Sequence, residues 1–235
     1  MARLPRLGVG GWPHLLLQRV HDRQSLARDD EDRAHCLNVL REAARTHRVA
    51  VHAYALADDH LTLLATPETD EGLSLTMQAL GRRYVAGFNR RHGREGGLWS
   101  GRYRAALLEP AQYLLDAMVF VELEAVMAGS VASVDANQWS SGPAHLGRRT
   151  DPLLTDHALF WALGNTPFER EHAWRQRLAE GLPAARAEAL RQAMHKSWAL
   201  LPAQDAARLS ALAGRPMAAR ARGRPRKTVG AESSE

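Results

Sequence analysis

Cysteine is all but missing from this chain. Cys36 is the only one, so a disulfide within the chain and a cysteine-based zinc site are both excluded. Its place in an expected helix makes it a small core residue. Long apolar runs are also missing. None approaches the ~18 residues that a membrane helix requires. The first residues, MARLPRLGVGGW, lack the apolar stretch of a secretory leader. A soluble cytoplasmic protein without a membrane partner is expected. Lysine is scarce too, so nearly all the cations are arginine.

Lys plus Arg number 31 against 26 Asp plus Glu, a formal excess of +5. Arginine forks onto phosphate and stacks on bases, so an Arg-rich basic chain leans towards nucleic acid. The same bias, with heavy Ala and Gly usage, also follows from a GC-rich genome. The ordinary apolar fraction allows a packed core.

The elements follow from periodicity and breakers. A first strand falls within Gly10–Val20, after Gly10, Gly11 and Pro13. Asp29 and Asp30 supply cap chemistry for a helix reaching Arg48, with an apolar stripe of Cys36, Val39, Leu40 and Ala43. Val49–Thr66 reads as two strands joined by the turn Ala57-Asp58-Asp59. Leu73–Arg91 is a second helix, with Leu73, Met77, Leu80, Tyr84 and Phe88 on one face. A fourth strand spans Tyr103–Leu108. Pro110 opens a third helix that stops at Gly129.

The order β-α-β-β-α-β is the split βαβ pattern. It predicts an α+β, ferredoxin-like fold with a four-stranded antiparallel sheet and helices on one face. The other face is open to a ligand or covered by the third helix. RNA-recognition sheets share this topology but display aromatics on their central strands. Only Tyr54 stands there, which argues against that module.

After Trp139 comes a loop, Ser140-Ser141-Gly142-Pro143, and then short helices. These fall at Thr155–Gly164, Pro167–Gly181, Pro183–Leu201 and Ala203–Leu212, with Trp161, Trp174 and Trp198 as packing anchors. The expected organisation is a domain over residues 1–147, a helical extension over 148–213 and a disordered basic tail over 214–235. The tail contains Arg222-Gly223-Arg224-Pro225-Arg226-Lys227. An extended Arg-Gly-Arg-Pro core resembles an AT-hook, which lies in an A·T-rich minor groove. A solvated basic tail is the plain alternative.

His60 and Thr62 sit two residues apart in the third strand, so they project from one face, with Leu61 and Leu63 on the other. Two polar side chains on one strand face can hold a metal or a phosphate. The same pattern fits an ordinary half-buried hairpin.

Several segments read together. They are His52-Ala53-Tyr54, Asp59-His60, Leu63-Leu64, Phe88-Asn89-Arg90-Arg91-His92-Gly93, Leu98-Trp99-Ser100-Gly101-Arg102-Tyr103-Arg104, Val126-Met127-Ala128-Gly129 and Trp139-Ser140-Ser141. In this order and spacing the chain resembles the HUH single-tyrosine transposases, and among them the REP-associated tyrosine transposases. The resemblance covers about residues 3–147.

The resemblance implies a strand motif of two histidines binding Mg²⁺ or Mn²⁺. It also implies a helix tyrosine that attacks a DNA phosphodiester, and a polar residue one turn later that completes the metal shell. The metal draws charge from the phosphate, and the tyrosine is a covalent nucleophile. Carried over residue by residue, the first histidine falls on His60 and the second on Thr62, a poor ligand. The nucleophile falls on Phe120, which has no oxygen. The polar residue falls on Glu124, whose carboxylate suits a hard cation. Asp58 and Asp59 are turn residues that stand nearby in sequence.

Tyr113, seven residues before Phe120, shares its helix face about 10 Å away. It is a substitute nucleophile only if the phosphate is repositioned. Arg82, Arg83, Arg90, Arg91, Arg102 and Arg104, with Arg222, Arg224, Arg226 and Lys227 of the tail, are candidate DNA contacts or solvated surface charges. His52, His92 and His145 read as ordinary polar or partly buried residues.

The implied substrate is a DNA hairpin or single strand, bound with cleavage impaired or lost. Two alternatives stand beside that reading. One is an active metal-dependent transposase or endonuclease using His60 with Glu124 or an aspartate. The other is a binding-only regulator that acts on RNA or duplex DNA through the tail. Monomer and homodimer both remain open.

Overall fold

A computed structural model describes residues 6–21 and 24–218. Four strands form one antiparallel sheet: β1 (His14–Arg19), β2 (Val49–Leu56), β3 (His60–Pro67) and β4 (Arg104–Leu107). Their spatial order is β2-β3-β1-β4, the ferredoxin-like arrangement expected. Leu17 pairs with Thr62, and Arg19 pairs with His60.

Helices α1 (Asp30–Thr46) and α2 (Gly72–His92) cover one face. The Asp29 side chain caps α1 by accepting from the Asp32 N–H. Gly93, at φ 58°, ends α2 in the left-handed region that glycine enters without steric cost. The stripes read from periodicity meet here. Cys36, Val39 and Leu40 of α1 and Leu73, Leu80, Tyr84 and Phe88 of α2 pack on Leu16, Leu61 and Leu63. Each fully buried leucine contributes about 1.5–3 kcal/mol.

The other face is closed. Helix α3 (Pro110–Met127) lies over it, and the Glu109 side chain caps α3 by accepting from the Ala111 and Gln112 N–H groups. After α3 come two one-turn helices, α4 (Gly142–His145) and α5 (Ala158–Trp161). The first falls where a loop was expected, and the second is much shorter than the segment read as helix. Helices α6 (Pro167–Glu180), α7 (Ala184–Lys196) and α8 (Ala203–Leu212) follow. Trp174, Leu178, Leu190, Ala193 and Met194 share one core with Leu15, Leu17, Ala106 and Leu114. Helices α6 and α7 therefore pack as a layer of the sheet's own core.

Both sheet edges are covered, which satisfies edge backbone groups that would otherwise invite a foreign strand. On the β2 edge, the Leu56 N–H donates to Trp139 O and the Thr155 N–H to Val51 O. On the β4 edge, the Leu200 N–H donates to Leu107 O and the Glu109 N–H to Leu200 O. The chain stays packed past α8: Met217 is buried, and its carbonyl accepts from the Ala199 N–H. The tail candidates Arg222, Arg224, Arg226 and Lys227 lie outside the described residues. Among the described residues no helix is long and apolar enough to cross a membrane.

Candidate active site and its surroundings

Strand β3 and helix α3 meet at the site. The strand's alternation turns His60, Thr62 and Leu64 towards α3, and Leu61, Leu63 and Ala65 towards α1 and α2. His60 Nε2 lies 3.0 Å from Glu124 Oε1, and His60 Nδ1 lies 2.5 Å from Asp59 Oδ1. One imidazole thus bridges two carboxylates. Burial works against charge on His60, but the Glu124 and Asp59 carboxylates outweigh it and hold its pKa above the usual histidine value. Thr62 is fully buried, and its hydroxyl has no hydrogen-bond partner among the described residues. The same holds for Glu124 Oε2.

This donor set falls short of a divalent-metal shell. Only His60 and Glu124 are strong ligands, and they are bonded to each other. A proton on His60 Nε2 and a cation would compete for the same lone pair. Among the described residues no three His, Cys, Asp or Glu side chains are grouped to hold a metal. Thr62 Oγ1 and Glu124 Oε2 are open acceptors at the site, but a neutral hydroxyl does not replace an imidazole.

Phe120 lies one turn before Glu124 on α3. It is half-buried in the core shared with α6 and α7, and the Arg191 guanidinium of α7 stands 5.9 Å from its ring centre. Tyr113 packs two turns earlier, with Arg186 of α7 over its ring at 4.1 Å. It is seated against α7, and no interaction ties it to His60. Tyr54, expected on a central strand, sits on the edge strand β2; it is buried, and its hydroxyl donates to Asp151.

The candidate DNA-contacting arginines divide between the two sides of the sheet. Arg82, Arg83, Arg90 and Arg91 are on α2. Arg91 is paired with Asp29, Glu31 and Asp32 at the start of α1, and Arg83 with Glu42. These two pairings clamp α1 to α2. Arg102 and Arg104 instead line a cavity beside β1 and β4, together with Arg19.

Sequence reading missed Glu122. This α3 carboxylate is fully buried between Phe120 and Glu124 in the chain, but it faces elsewhere. It accepts from Ser141 Oγ at 2.6 Å, His145 Nδ1 at 2.5 Å and Trp174 Nε1 at 2.9 Å. Burial opposes charge on His145, yet Glu122 holds its pKa above the usual value. The available signal was an acid directly after the apolar run Ala117-Met118-Val119-Phe120-Val121, which must find donors if it turns inward.

Residues 13–116 match the model of the family described as transposase IS200 like. That segment includes His60 and Thr62 and ends before Phe120 and Glu124. No curated protein sequence matches the chain. A solved structure of a REP-associated tyrosine transposase bound to a REP hairpin shares the fold. Its TM-score is 0.53 at 16% identity, covering 67% of this chain and 96% of that one. A second structure, of a candidate transposase from Deinococcus radiodurans R1, has a TM-score of 0.34 at 22% identity. It covers 45% of this chain and 84% of that one.

Proposed function

From a chain that carries an IS200-like transposase domain over residues 13–116, we propose a DNA-binding protein that recognises hairpin or single-stranded DNA and has lost strand cleavage. The observation that carries the reading is the pairing of Phe120 with Glu124. The benzyl ring stands one turn from the carboxylate that meets His60, where the resembled family has its nucleophile. Without an oxygen, that position cannot form a phosphotyrosine bond. The metal shell is short by one strong ligand at Thr62. The structural neighbour's REP hairpin supports a folded DNA element as the partner.

The test is incubation of the full chain with a labelled hairpin oligonucleotide and Mn²⁺ or Mg²⁺, followed by a denaturing gel and a native binding titration. Binding without a covalent adduct is expected. An adduct overturns the loss of cleavage, and mapping it to Tyr113 assigns that residue as the substitute nucleophile.

A residual cation site is the second reading, favoured by the two partnerless oxygens Thr62 Oγ1 and Glu124 Oε2. It predicts that Mn²⁺ raises the melting temperature of wild type but not of Glu124→Gln.

A further inference from the structure

A second cavity, of about 420 Å³, lies between α4, residues 149–156, α5 and the start of α6. Its volume falls in the ~300–1,000 Å³ range of small-molecule sites. His60, Phe120 and Glu124 take no part in its lining.

Two buried cations face it with donors to spare. His145 donates to Glu122 from Nδ1 at 2.5 Å. Its Nε2 has no hydrogen-bond partner among the described residues, and Asp156 Oδ1 stands 3.7 Å away, beyond hydrogen-bond reach. A buried polar atom left so is destabilising. Burial opposes charge on His145, but Glu122 and then Asp156 outweigh it. Arg170 of α6 is buried as well. It donates to the Gly164 carbonyl at 3.1 Å, and its guanidinium lies 4.0 Å from the Trp161 ring centre. Among the described residues it pairs with no carboxylate. Glu169, beside it in the chain, instead accepts from the Asn165 and Thr166 N–H groups at the start of α6.

Two carboxylates of the lining are equally open. Asp156 and Glu171 hold no hydrogen bond among the described residues. Arg149 and Asp151 are already engaged with each other at 3.4 Å and with the Tyr54 hydroxyl.

This mixture of signs selects the ligand. A bare anion, DNA backbone included, would meet Asp156 and Glu171. A bare organic cation would meet Arg170 and His145. A divalent metal lacks ligands, because among the described residues no three His, Cys, Asp or Glu side chains are grouped to hold one. A small zwitterion answers both pairs at once. The lining also includes Leu154, Phe160, Trp161 and Pro167, apolar surface that a hydrocarbon side chain would cover.

We propose that this cavity binds a free α-amino acid with an apolar side chain, its carboxylate on Arg170 and His145 Nε2 and its ammonium on Asp156 and Glu171. The inference goes beyond the DNA-binding reading and stands without it. The ligand's carboxylate extends a chain of charge-assisted bonds through His145 to Glu122, and from there to Ser141 and Trp174. Occupancy therefore ties α6 and residues 149–156 to the buried acid of α3, and it stabilises the fold.

The test uses the full chain without DNA. Leucine, isoleucine, valine, methionine and phenylalanine are each titrated by calorimetry and assayed for their effect on the thermal midpoint. The N-acetyl and amide forms of the tightest binder, which lack the ammonium and the carboxylate charge respectively, serve as controls. The variants are Asp156→Asn, Arg170→Gln and, as a control of surface charge, Asp135→Asn, whose carboxylate pairs with Arg148 outside the cavity. Asp156 holds no hydrogen bond, so its variant folds even if Arg170→Gln does not.

At least one of the five is expected to bind wild type with a Kd of about 1 mM or below and, at about 10 mM, to raise the thermal midpoint by about 3 °C or more. Asp156→Asn and Arg170→Gln are each expected to weaken that binding about tenfold, and Asp135→Asn to change it less than about twofold. No binding by any of the five overturns the inference. Blocked forms that bind as tightly as the free amino acid overturn the zwitterion. Wild-type affinity in Asp156→Asn, or an equal loss in Asp135→Asn, overturns the assignment to this cavity.

Discussion

His60 on β3 and Glu124 on α3 are joined by a 3.0 Å contact across 64 residues of sequence. That contact fixes the register of the helix over the strand, and so it fixes where Phe120 lies. A nucleophile restored at position 120 would stand one turn from the carboxylate that faces His60. The double variant Phe120→Tyr with Thr62→His is therefore expected to form a covalent adduct with a hairpin probe in Mn²⁺, where wild type forms none. Arg191, 5.9 Å from the ring centre, would favour the phenolate form of the new tyrosine. A properly folded, DNA-binding double variant that yields no adduct shows that more than these two positions has drifted.

Glu122 ties three parts of the chain together through Ser141, His145 and Trp174. Glu122→Gln places an amide donor among groups that are themselves donors. It is expected to cost about 3 kcal/mol, the scale of breaking a buried charged pair. Trp174→Phe removes one charge-assisted bond and is expected to cost about 1.5–3 kcal/mol. Urea unfolding of both variants checks the order; a smaller loss for Glu122→Gln than for Trp174→Phe contradicts the hub.

His14 and His52 are buried as neutral imidazoles. His14 donates to the Trp12 carbonyl from Nδ1 and accepts the Val9 N–H at Nε2. Burial lowers both pKa values from 6.5 to about 4. A lowered base pKa means that the unfolded chain takes up protons first as pH falls. Stability is therefore intact above about 6.5 and lost as pH drops towards 4, on the order of 3 kcal/mol per residue. His60 and His145, with raised values, act oppositely: their contribution is full below 6.5 and fades as pH rises through their folded pKa. Urea midpoints at pH 7 and pH 5 are expected to fall for wild type and to fall less for His14→Gln. Parallel shifts for the two proteins would exclude His14 as a source.

Arg91 bonds three carboxylates at the start of α1. Its variant Arg91→Gln is expected to lower the thermal midpoint while leaving hairpin affinity within about twofold, because its charge is already spent on α1. A loss of affinity of about tenfold would place α2 in the DNA interface.

Much of the fold was legible from local pattern. The stripe of α2, the cap at Asp29, the start of α3 at Pro110 and the turn at 57–59 each follow from neighbouring residues alone. The one-turn helices α4 and α5 were misread because four residues carry no periodicity. The cover over the second sheet face was half-read: α3 was anticipated as one of two possibilities, whereas α6 and α7 were read as a separate extension. Their apolar positions match a sheet face that no local window contains.

The sequence by itself determined that His60 and Thr62 share a strand face, that Phe120 and Glu124 share a helix face and that the chain is rich in arginine. These follow from periods of 2 and 3.6 residues. Only the tertiary structure decided that the Glu124 carboxylate meets His60, that Glu122 turns inward to three donors, and that Arg91 is paired with carboxylates while Arg104 donates to a carbonyl. Charge partners are chosen by distance in space, and the partners here lie 19 to 91 residues apart along the chain.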